Sequence, residues 1–277
     1  MKNIEEKIDL VVNLLDKQKK ELDCLSNVDS VLKDFTSDIE KLKELFLEQS
    51  TSKNVENKDG HLIKYLKNLN LTDVEIDKII KVPIDLKQDE IICKQGTFAS
   101  FIMILKEGLL KAYVEKSNNK NHIFKITKPF SIIGLSSLYG DNYYHFSCSA
   151  ITKSKVYIVE RGSFDKIIRN NPKFGLEIMK LYSNSLQNMY NKIGTIANKQ
   201  ALGRVCDTLL YLSENVFESN IIDTIISRKE IAEFSGLATE NLVRVLTELK
   251  KDNIIAINNK SIEILKPETL KLFSNLG

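Results

Sequence analysis

The sequence predicts an α+β protein: an N-terminal helical extension, a β-roll (jelly-roll) domain, a long helix, and a C-terminal winged helix-turn-helix. Three observations predict it. The first stretch lacks Gly and Pro, the middle consists of short apolar segments between turn residues, and two C-terminal helices are joined by a glycine. Evenly spaced short strands are typical of a closed roll. The expected boundaries are 1–50 for the extension, 51–60 for a linker, 61–170 for the roll, 171–198 for the long helix and 199–277 for the winged helix-turn-helix.

The composition is that of a globular protein. Hydrophobic residues make up 43% and charged residues 28% of the 277 positions, which excludes a disordered or fibrous chain. Apolar runs are too short to span a bilayer, and Met1–Asp9 lacks the apolar core of a signal peptide. We therefore expect a cytoplasmic protein with no membrane partner.

The four cysteines form no C-x-x-C pair, so we expect them to be small core residues rather than ligands of a zinc ribbon or a local iron–sulfur site.

The extension carries apolar residues with alternating steps of three and four, close to a heptad seam. They are Ile4, Ile8, Val11, Leu15, Leu22, Leu25, Leu32, Ile39, Leu42 and Phe46. This spacing predicts one long amphipathic helix, or two helices broken near residues 26–30. The result is a coiled coil or a helical hairpin, whose partner is either the same helix of a second subunit or the body of this chain.

The β-roll is predicted after two short helices, 62–69 and 72–81, the second capped by Thr72. The segments that follow are rich in Ile, Val, Phe and Tyr, and turn residues such as Glu107-Gly108 separate them. Such segments favour strands. They are 91–93, 101–105, 109–114, 122–126 and 155–159.

A long helix is predicted beyond the roll. Ser163 is the expected cap of a short helix, and Asn171 with Pro172, at the N-cap and first helical positions, opens the long one. Its length leaves more apolar surface than one neighbour can cover, so we expect it to pair with its own copy in a two-fold homodimer. The residues expected at this dimer helix are Phe174, Ile178, Leu181, Met189 and Ile193.

The strongest local pattern is the stretch 227–249. Ser227 and Glu230 form a capping box. Gly236 provides a tight bend, whose left-handed backbone conformation has a low energetic cost only for glycine. Ile231 and Ala232 face inward on the first helix. The buried face of the second helix consists of Leu237, Leu242, Val245, Leu246 and Leu249. Two helices joined in this way predict a helix-turn-helix, whose second helix lies in the major groove of DNA.

Early outward positions on that second helix are the expected base contacts: Thr239, Glu240, Asn241 and Arg244. Arginine can bind guanine O6 and N7 with two hydrogen bonds, and a glutamate can accept from cytosine N4.

A hairpin over 254–264 predicts the wing. The expected contacts to the DNA backbone are Ser227, Arg228, Lys229, Lys250, Lys251 and Lys260. Residues 200–277 hold nine Lys and Arg against eleven Asp and Glu, so charge alone does not indicate DNA binding.

A family resemblance covers about Lys81–Lys266. The roll motif Leu105-Lys106-Glu107-Gly108 and the pattern from Ser227 through Glu230, Gly236 and Glu240 to Arg244 resemble the Crp/Fnr superfamily of transcription regulators. This resemblance implies that Glu240 and Arg244 read a palindromic site, with RNA polymerase as a further partner. Thr239, in place of an arginine, implies Fnr-like TGA-type half-sites. Ala238 departs from the family's usual Ser or Thr cap.

The same resemblance leaves the signal unidentified. Ile132 stands where cyclic-nucleotide binders of this fold carry a ribose-binding Glu, and Tyr144 or His145 stands near their phosphate-binding Arg. Cyclic AMP and cyclic GMP are therefore disfavoured. An N-terminal cysteine cluster is also missing, which disfavours an iron–sulfur cluster. Haem stays open, and no cofactor or metal is predicted. The expected effector pocket comprises Ile132, Gly134, Tyr144, His145 and Ser147.

Two other functional classes compete with this interpretation. A metalloenzyme on the roll would need closely spaced His ligands, and the chain has no His-x-His pair, so we expect no enzyme. A protein-interaction module with a degenerate DNA-binding domain is the alternative function. Activation or repression, the target genes and the role of the extension are not encoded in any recognisable pattern.

Overall fold

A computed structural model describes residues 60–115 and 121–276. The predicted N-terminal extension, including its coiled-coil seam, lies outside these residues, as does nearly all of the predicted linker. The first described residue, Gly60, already belongs to a helix.

Two short helices precede the roll. Helix α1 spans Gly60–Asn68 and helix α2 spans Asp73–Ile79. Thr72 is the N-cap of α2, as predicted, and its side chain and that of Glu75 form a capping box. Both helices turn their apolar residues inward onto the roll, where they join the strands and the next two helices in one core.

The roll consists of two four-stranded antiparallel sheets. The strands are β1 Pro83–Leu86, β2 Ile91–Cys93, β3 Phe101–Glu107, β4 Leu110–Glu115, β5 Asn121–Thr127, β6 Ile132–Ile133, β7 Ser147–Ala150 and β8 Ser154–Glu160. One sheet has the order β1-β8-β3-β6 and the other β2-β7-β4-β5. All five predicted strands are present, and the predicted β-roll is confirmed. Strands β1, β6 and β7 were not predicted, because they are short and lack a clear alternation of apolar and polar residues.

Gly108 closes the turn between β3 and β4. Its φ of +92° lies in the region that side chains other than glycine rarely adopt. A Cβ added there would lie 2.7 Å from the Lys153 carbonyl oxygen and closer still to the Ser154 hydroxyl. The predicted Glu107-Gly108 turn therefore requires glycine both for its backbone angle and for the approach of strand β8.

Two helices follow the roll: α3, Arg161–Asn170, and α4, Pro172–Asn198. Asn171 caps α4 through its side chain, and Pro172 occupies the first turn, as predicted. The predicted cap of α3 is wrong. Its N-cap is Glu160, whose carboxylate accepts hydrogen bonds from both the backbone N–H and the hydroxyl of Ser163. A carboxylate can cap a helix as a serine can, and this one reaches three residues forward.

The C-terminal region is a winged helix-turn-helix with two further helices. It contains α5 Ala201–Tyr211, a π-helical segment Leu212–Phe217, β9 Ile221–Ile222, α6 Arg228–Ser235, α7 Thr239–Lys251, β10 Ile255–Asn258, β11 Ser261–Ile264 and α8 Pro267–Leu276. Strands β10 and β11 form the predicted wing, and β9 adds a third strand. Helix α8, which was not predicted, follows the wing and buries Leu270 against α5.

One apolar core joins the roll to the C-terminal region. Tyr113, Ile123 and Ile126 of the roll belong to the same cluster of buried residues as Val205 and Phe234. Three cysteines, Cys93, Cys148 and Cys206, are buried free thiols, as expected. Among the described helices, none is long and apolar enough to cross a membrane.

Candidate nucleic-acid interface

The bend between α6 and α7 forms from local contacts. Ser227 accepts a hydrogen bond from the Glu230 N–H, and the Glu230 carboxylate accepts from the Ser227 N–H, which completes the predicted capping box. Gly236 ends α6 with φ +69° and ψ +31°, the left-handed conformation that the sequence required. Ala238 is the N-cap of α7 and provides no side-chain hydrogen bond.

The inner faces of both helices are buried as predicted. Ile231 and Ala232 of α6 are at most 1% exposed, and Leu237 at the bend is half-buried against the core. The buried residues of α7 are Leu242, Val245, Leu246 and Leu249. This burial fixes which side of α7 faces outward.

The outer face of α7 presents the predicted base-contact residues together. Thr239 is half-buried, whereas Glu240, Asn241 and Arg244 are exposed. Within the described residues, Glu240 and Arg244 form no ion pair with each other or with another side chain. Their donors and acceptors are therefore available to a ligand, and Val243, 48% exposed, adds an apolar contact beside them.

The predicted contacts to the DNA backbone lie in two groups. Lys250, Lys251 and Lys260 are exposed at the end of α7 and on the wing turn. The hydroxyl of Ser227 is already used in the capping box. Arg228 donates a 2.9 Å hydrogen bond to the Lys260 carbonyl, and its partial burial lowers its pKa.

Lys229 is exposed near the start of α6, with its ammonium 3.9 Å from a Glu233 carboxylate oxygen. Burial raises the pKa of Glu233, although nearby Lys229 and Lys111 lower it in part. Lys229 therefore retains most of its hydrogen-bonding capacity for an anion, since a pair at this distance and exposure is weak.

An ion pair that sequence reasoning missed connects this interface to the roll. Lys111 on β4 donates from Nζ to Oε1 of Glu230, at 2.9 Å, and the Glu230 Oε2 atom caps α6. The Glu230 carboxylate thus caps the first helix of the helix-turn-helix and also forms an ion pair with the roll. No local pattern could have revealed the pair, because the two residues are 119 positions apart.

The five residues expected to form an effector pocket are not brought together. Ile132 and Gly134 line a cavity, but the other three do not. Tyr144 is buried and donates a 2.6 Å hydrogen bond to the Phe101 carbonyl. His145 is exposed and bonds to Asp141 at 2.8 Å. The Ser147 hydroxyl donates to Glu115 inside the roll.

That cavity, of about 840 Å³, lies between the roll, the long helix α4 and the C-terminal region. Phe124 and Phe146 line it from the roll, Leu186 from α4, and Tyr211 and Phe234 from the C-terminal region. The charged lining residues are Lys125, Lys192, Lys199 and Asp207. In the described part of the chain, no group of three or more His, Cys, Asp or Glu residues is arranged to hold a metal ion.

The expected dimer residues of α4 fall on two faces. Phe174 and Ile178 are buried in the core of their own roll, and Leu181 packs against it. Met189 and Ile193 are 41% and 57% exposed. Apolar spacing alone could not separate the residues that are buried against the roll from those that stay exposed, because both sets recur with helical periodicity.

Two family models match the chain. A cyclic nucleotide-binding domain matches residues 83–171, and a Crp-like helix-turn-helix domain matches residues 203–273. Together they cover more than half of the 277 residues.

Curated relatives are regulators of transcription rather than enzymes. The transcriptional activator protein Anr of Pseudomonas protegens is 25% identical over 205 residues, covering 72% of this chain and 84% of that protein. The fumarate and nitrate reduction regulatory protein of Vibrio cholerae is 23% identical over 195 residues, covering 69% and 78%.

Solved structures share the fold. FixK2 from Bradyrhizobium japonicum superimposes with a TM-score of 0.64 at 18% identity, covering 70% of this chain and 97% of that one. A putative transcriptional regulator of the Crp/Fnr family from Eubacterium rectale has a TM-score of 0.62 at 17% identity, covering 76% and 99%.

Proposed function

Because the chain belongs to the Crp/Fnr family of transcription regulators, we propose that it binds a palindromic DNA site as a homodimer. The signal that controls this binding acts at the roll. The palindrome consists of TGA-type half-sites, and the bound dimer contacts RNA polymerase. The observation that carries the proposal is the outer face of α7, where Glu240, Asn241 and Arg244 are exposed together.

Base recognition follows from the chemistry of that face. Arg244 lies one turn beyond Glu240, so both side chains reach the same groove. The guanidinium matches guanine O6 and N7, and the carboxylate accepts from cytosine N4. Since neither group forms an ion pair within the described residues, DNA does not have to displace a protein partner before they bind.

Phosphate contacts would set the position of α7 in the groove. Lys250 and Lys251 are exposed in the last turn of α7, and Lys260 is exposed on the wing. Ser227, Arg228 and Lys229 lie at the start of α6. Such contacts orient a protein on the duplex without reading sequence. Arg228 can use the guanidinium N–H groups that its hydrogen bond to the Lys260 carbonyl leaves available.

The homodimer would form through the outward face of α4. Exposed apolar side chains recur there with alternating steps of three and four, at Met179, Tyr182, Leu186, Met189 and Ile193. This is the a/d spacing of a coiled coil, and we call these five residues the α4 seam. A second copy of the chain presents the same seam, so two copies can cover it around a two-fold axis.

Control of DNA binding would act through α4. Three residues of the α4 seam, Tyr182, Leu186 and Met189, also line the cavity beside the roll. A ligand that binds one arrangement of these elements better than another shifts the population toward it. The spacing of the two α7 helices, and with it the affinity for the palindrome, would then change.

Selection from a pool of random duplex oligonucleotides, at one fixed salt concentration, tests the proposal. The full chain should enrich a palindrome with TGA-type half-sites. Arg244→Ala should lose that site but keep salt-dependent nonspecific binding. Lys271→Ala, which removes one positive charge on α8 instead, should enrich the same palindrome as the unchanged protein.

The other outcomes are equally informative. Equal enrichment by the Arg244→Ala variant would place base recognition elsewhere on the protein. No enrichment by the unchanged protein, whether or not a ligand of the cavity beside the roll is added, would favour the alternative function. That function is a protein-interaction module whose DNA-binding domain is degenerate.

A further inference from the structure

We propose that the cavity beside the roll binds a small organic anion with an apolar body, whose negative charge lies against Lys125 and Lys192. The inference rests on the proposed function, because it names the chemical class of the ligand that acts at the roll. It arises from the charges that line this cavity, which are not paired one to one among the residues that the structure describes.

Asp207 is the single acidic residue among the described residues of the lining, and its carboxylate is already occupied. It accepts hydrogen bonds from the Thr195 hydroxyl at 2.7 Å, from the Lys199 ammonium at 3.0 Å and from the Ser274 hydroxyl. Lys199 therefore has its counter-charge. Among the described residues, no carboxylate is bonded to Lys125 or to Lys192, although the charge of Asp207 acts on Lys192 from a distance.

In residues 60–115 and 121–276, neither of these two lysines has an acidic partner at ion-pair distance. Within the described chain, the ammonium groups of Lys125 and Lys192 form no hydrogen bond and no ion pair. Lys192 Nζ lies 3.5 Å from the centre of the Phe234 ring, a contact with an aromatic face rather than with an anion. Burial lowers the pKa of Lys125, and burial lowers the pKa of Lys192 to about 7. Both shifts report that charged ammonium groups are poorly solvated there.

An anion in the cavity would supply the missing counter-charge. A charge-assisted hydrogen bond to a lysine contributes more than one between neutral groups, and desolvated charges gain most from pairing. Apolar and aromatic side chains, including Phe124, Phe146 and Leu186, make up much of the remaining lining, beside uncharged polar side chains such as Ser185 and Asn191. The ligand therefore needs an aromatic or aliphatic body in addition to its carboxylate, phosphate or sulfonate.

The position of Lys192 connects this ligand to the DNA-binding region. Phe234 is part of α6, and its ring stacks on Tyr211 at 4.8 Å between centroids. The Tyr211 hydroxyl donates to the Ile126 carbonyl of β5, the strand that carries Lys125. An anion that attracts the Lys192 ammonium competes with its contact to Phe234, so binding changes a contact made by the first helix of the helix-turn-helix.

Two fluorescent probes with the same aromatic frame test the inference. 8-Anilinonaphthalene-1-sulfonate carries a negative charge, and N-phenyl-1-naphthylamine does not. The full chain should bind the sulfonate more tightly. Lys125→Met and Lys192→Met should each weaken it about ten- to a hundredfold, the loss of one charge-assisted contact, and leave the neutral probe unaffected. Lys125→Arg should retain the preference.

Controls separate this inference from the proposed function. Lys166→Met removes an exposed lysine that does not line the cavity and should change neither affinity. Arg244→Ala should bind the sulfonate normally while failing to select DNA, since probe binding is measured without DNA. Equal affinity for the two probes, or an unchanged sulfonate affinity in both lysine-to-methionine variants, would overturn the inference even if DNA selection succeeds.

Discussion

Lys111 on strand β4 and Glu230 on helix α6 form an ion pair, with 2.9 Å between Nζ and Oε1, across the junction of the roll and the helix-turn-helix. Their side chains are only 15% and 10% exposed. Burial alone would lower the pKa of Lys111, but the hydrogen bond and the charge of Glu230 raise it above its usual value. The ammonium is therefore charged, and the pair holds α6 against the roll.

We expect Lys111→Met to lower the free energy of unfolding by about 1.5–3 kcal/mol, since it leaves the Glu230 carboxylate buried without its cation. Urea unfolding measures the change. Lys155→Met is the matched control, because Lys155 is 3.7 Å from Glu107 and both side chains are more than a third exposed. That pair should contribute less than about 1 kcal/mol, and equal losses in the two variants would contradict a special role for Lys111.

Glu240→Ala should relax recognition at a single base pair of the selected site. The loss of an acceptor for cytosine N4 reduces discrimination at that position by about 1–3 kcal/mol. Competition binding with singly substituted sites measures it. Glu248→Ala removes the same charge from an exposed position two turns later on α7 and should leave discrimination unchanged. A uniform change at every base pair would instead indicate that Glu240 acts through general electrostatics.

Ile193→Glu should dissociate the homodimer, because it places a carboxylate beside its own copy in the apolar α4 seam. Sedimentation equilibrium measures the dissociation constant. Asn184→Glu introduces the same charge at an exposed position of α4 outside the α4 seam and should leave the dimer intact. If both variants remain dimeric, subunits associate through another surface.

Lys192 should make stability depend on pH. Burial, opposed by the charge of Asp207 and reinforced by that of Arg204, lowers its pKa from 10.5 to about 7 in the folded protein. Between these two values the unfolded chain binds more protons than the folded chain. The contribution of Lys192 to the free energy of unfolding therefore rises with pH across this window and is constant below it.

Comparison of Lys192→Met with the unchanged protein isolates that contribution. The variant should be the more stable at about pH 6, because it buries no charge, and its advantage should shrink as the pH approaches about 9. Thermal unfolding across this range measures the difference. Lys166→Met should give a difference that does not vary with pH. An advantage for Lys192→Met that stays constant or grows would show that the ammonium is well solvated.

Most of the helix-turn-helix could be predicted from the sequence because its determinants are local. The Ser227–Glu230 capping box spans three residues, and Gly236 adopts a backbone conformation that depends on its own missing side chain. The inward and outward sides of α7 follow from helical periodicity, which fixes Arg244 opposite Leu242 and Leu246 once the latter are buried. The roll could be predicted at the level of its longer strands for the same reason.

The sequence did not reveal which residues meet across the core. Apolar periodicity on α4 could not tell that Phe174 packs onto its own roll while Ile193 remains exposed. Neither the Lys111–Glu230 ion pair nor the position of Lys125 and Lys192 at one cavity can be recognised from the residues that adjoin them in the sequence. A helix or a turn is specified by contacts within a few residues, whereas a buried charge pair or a cavity exists only after distant segments have packed together.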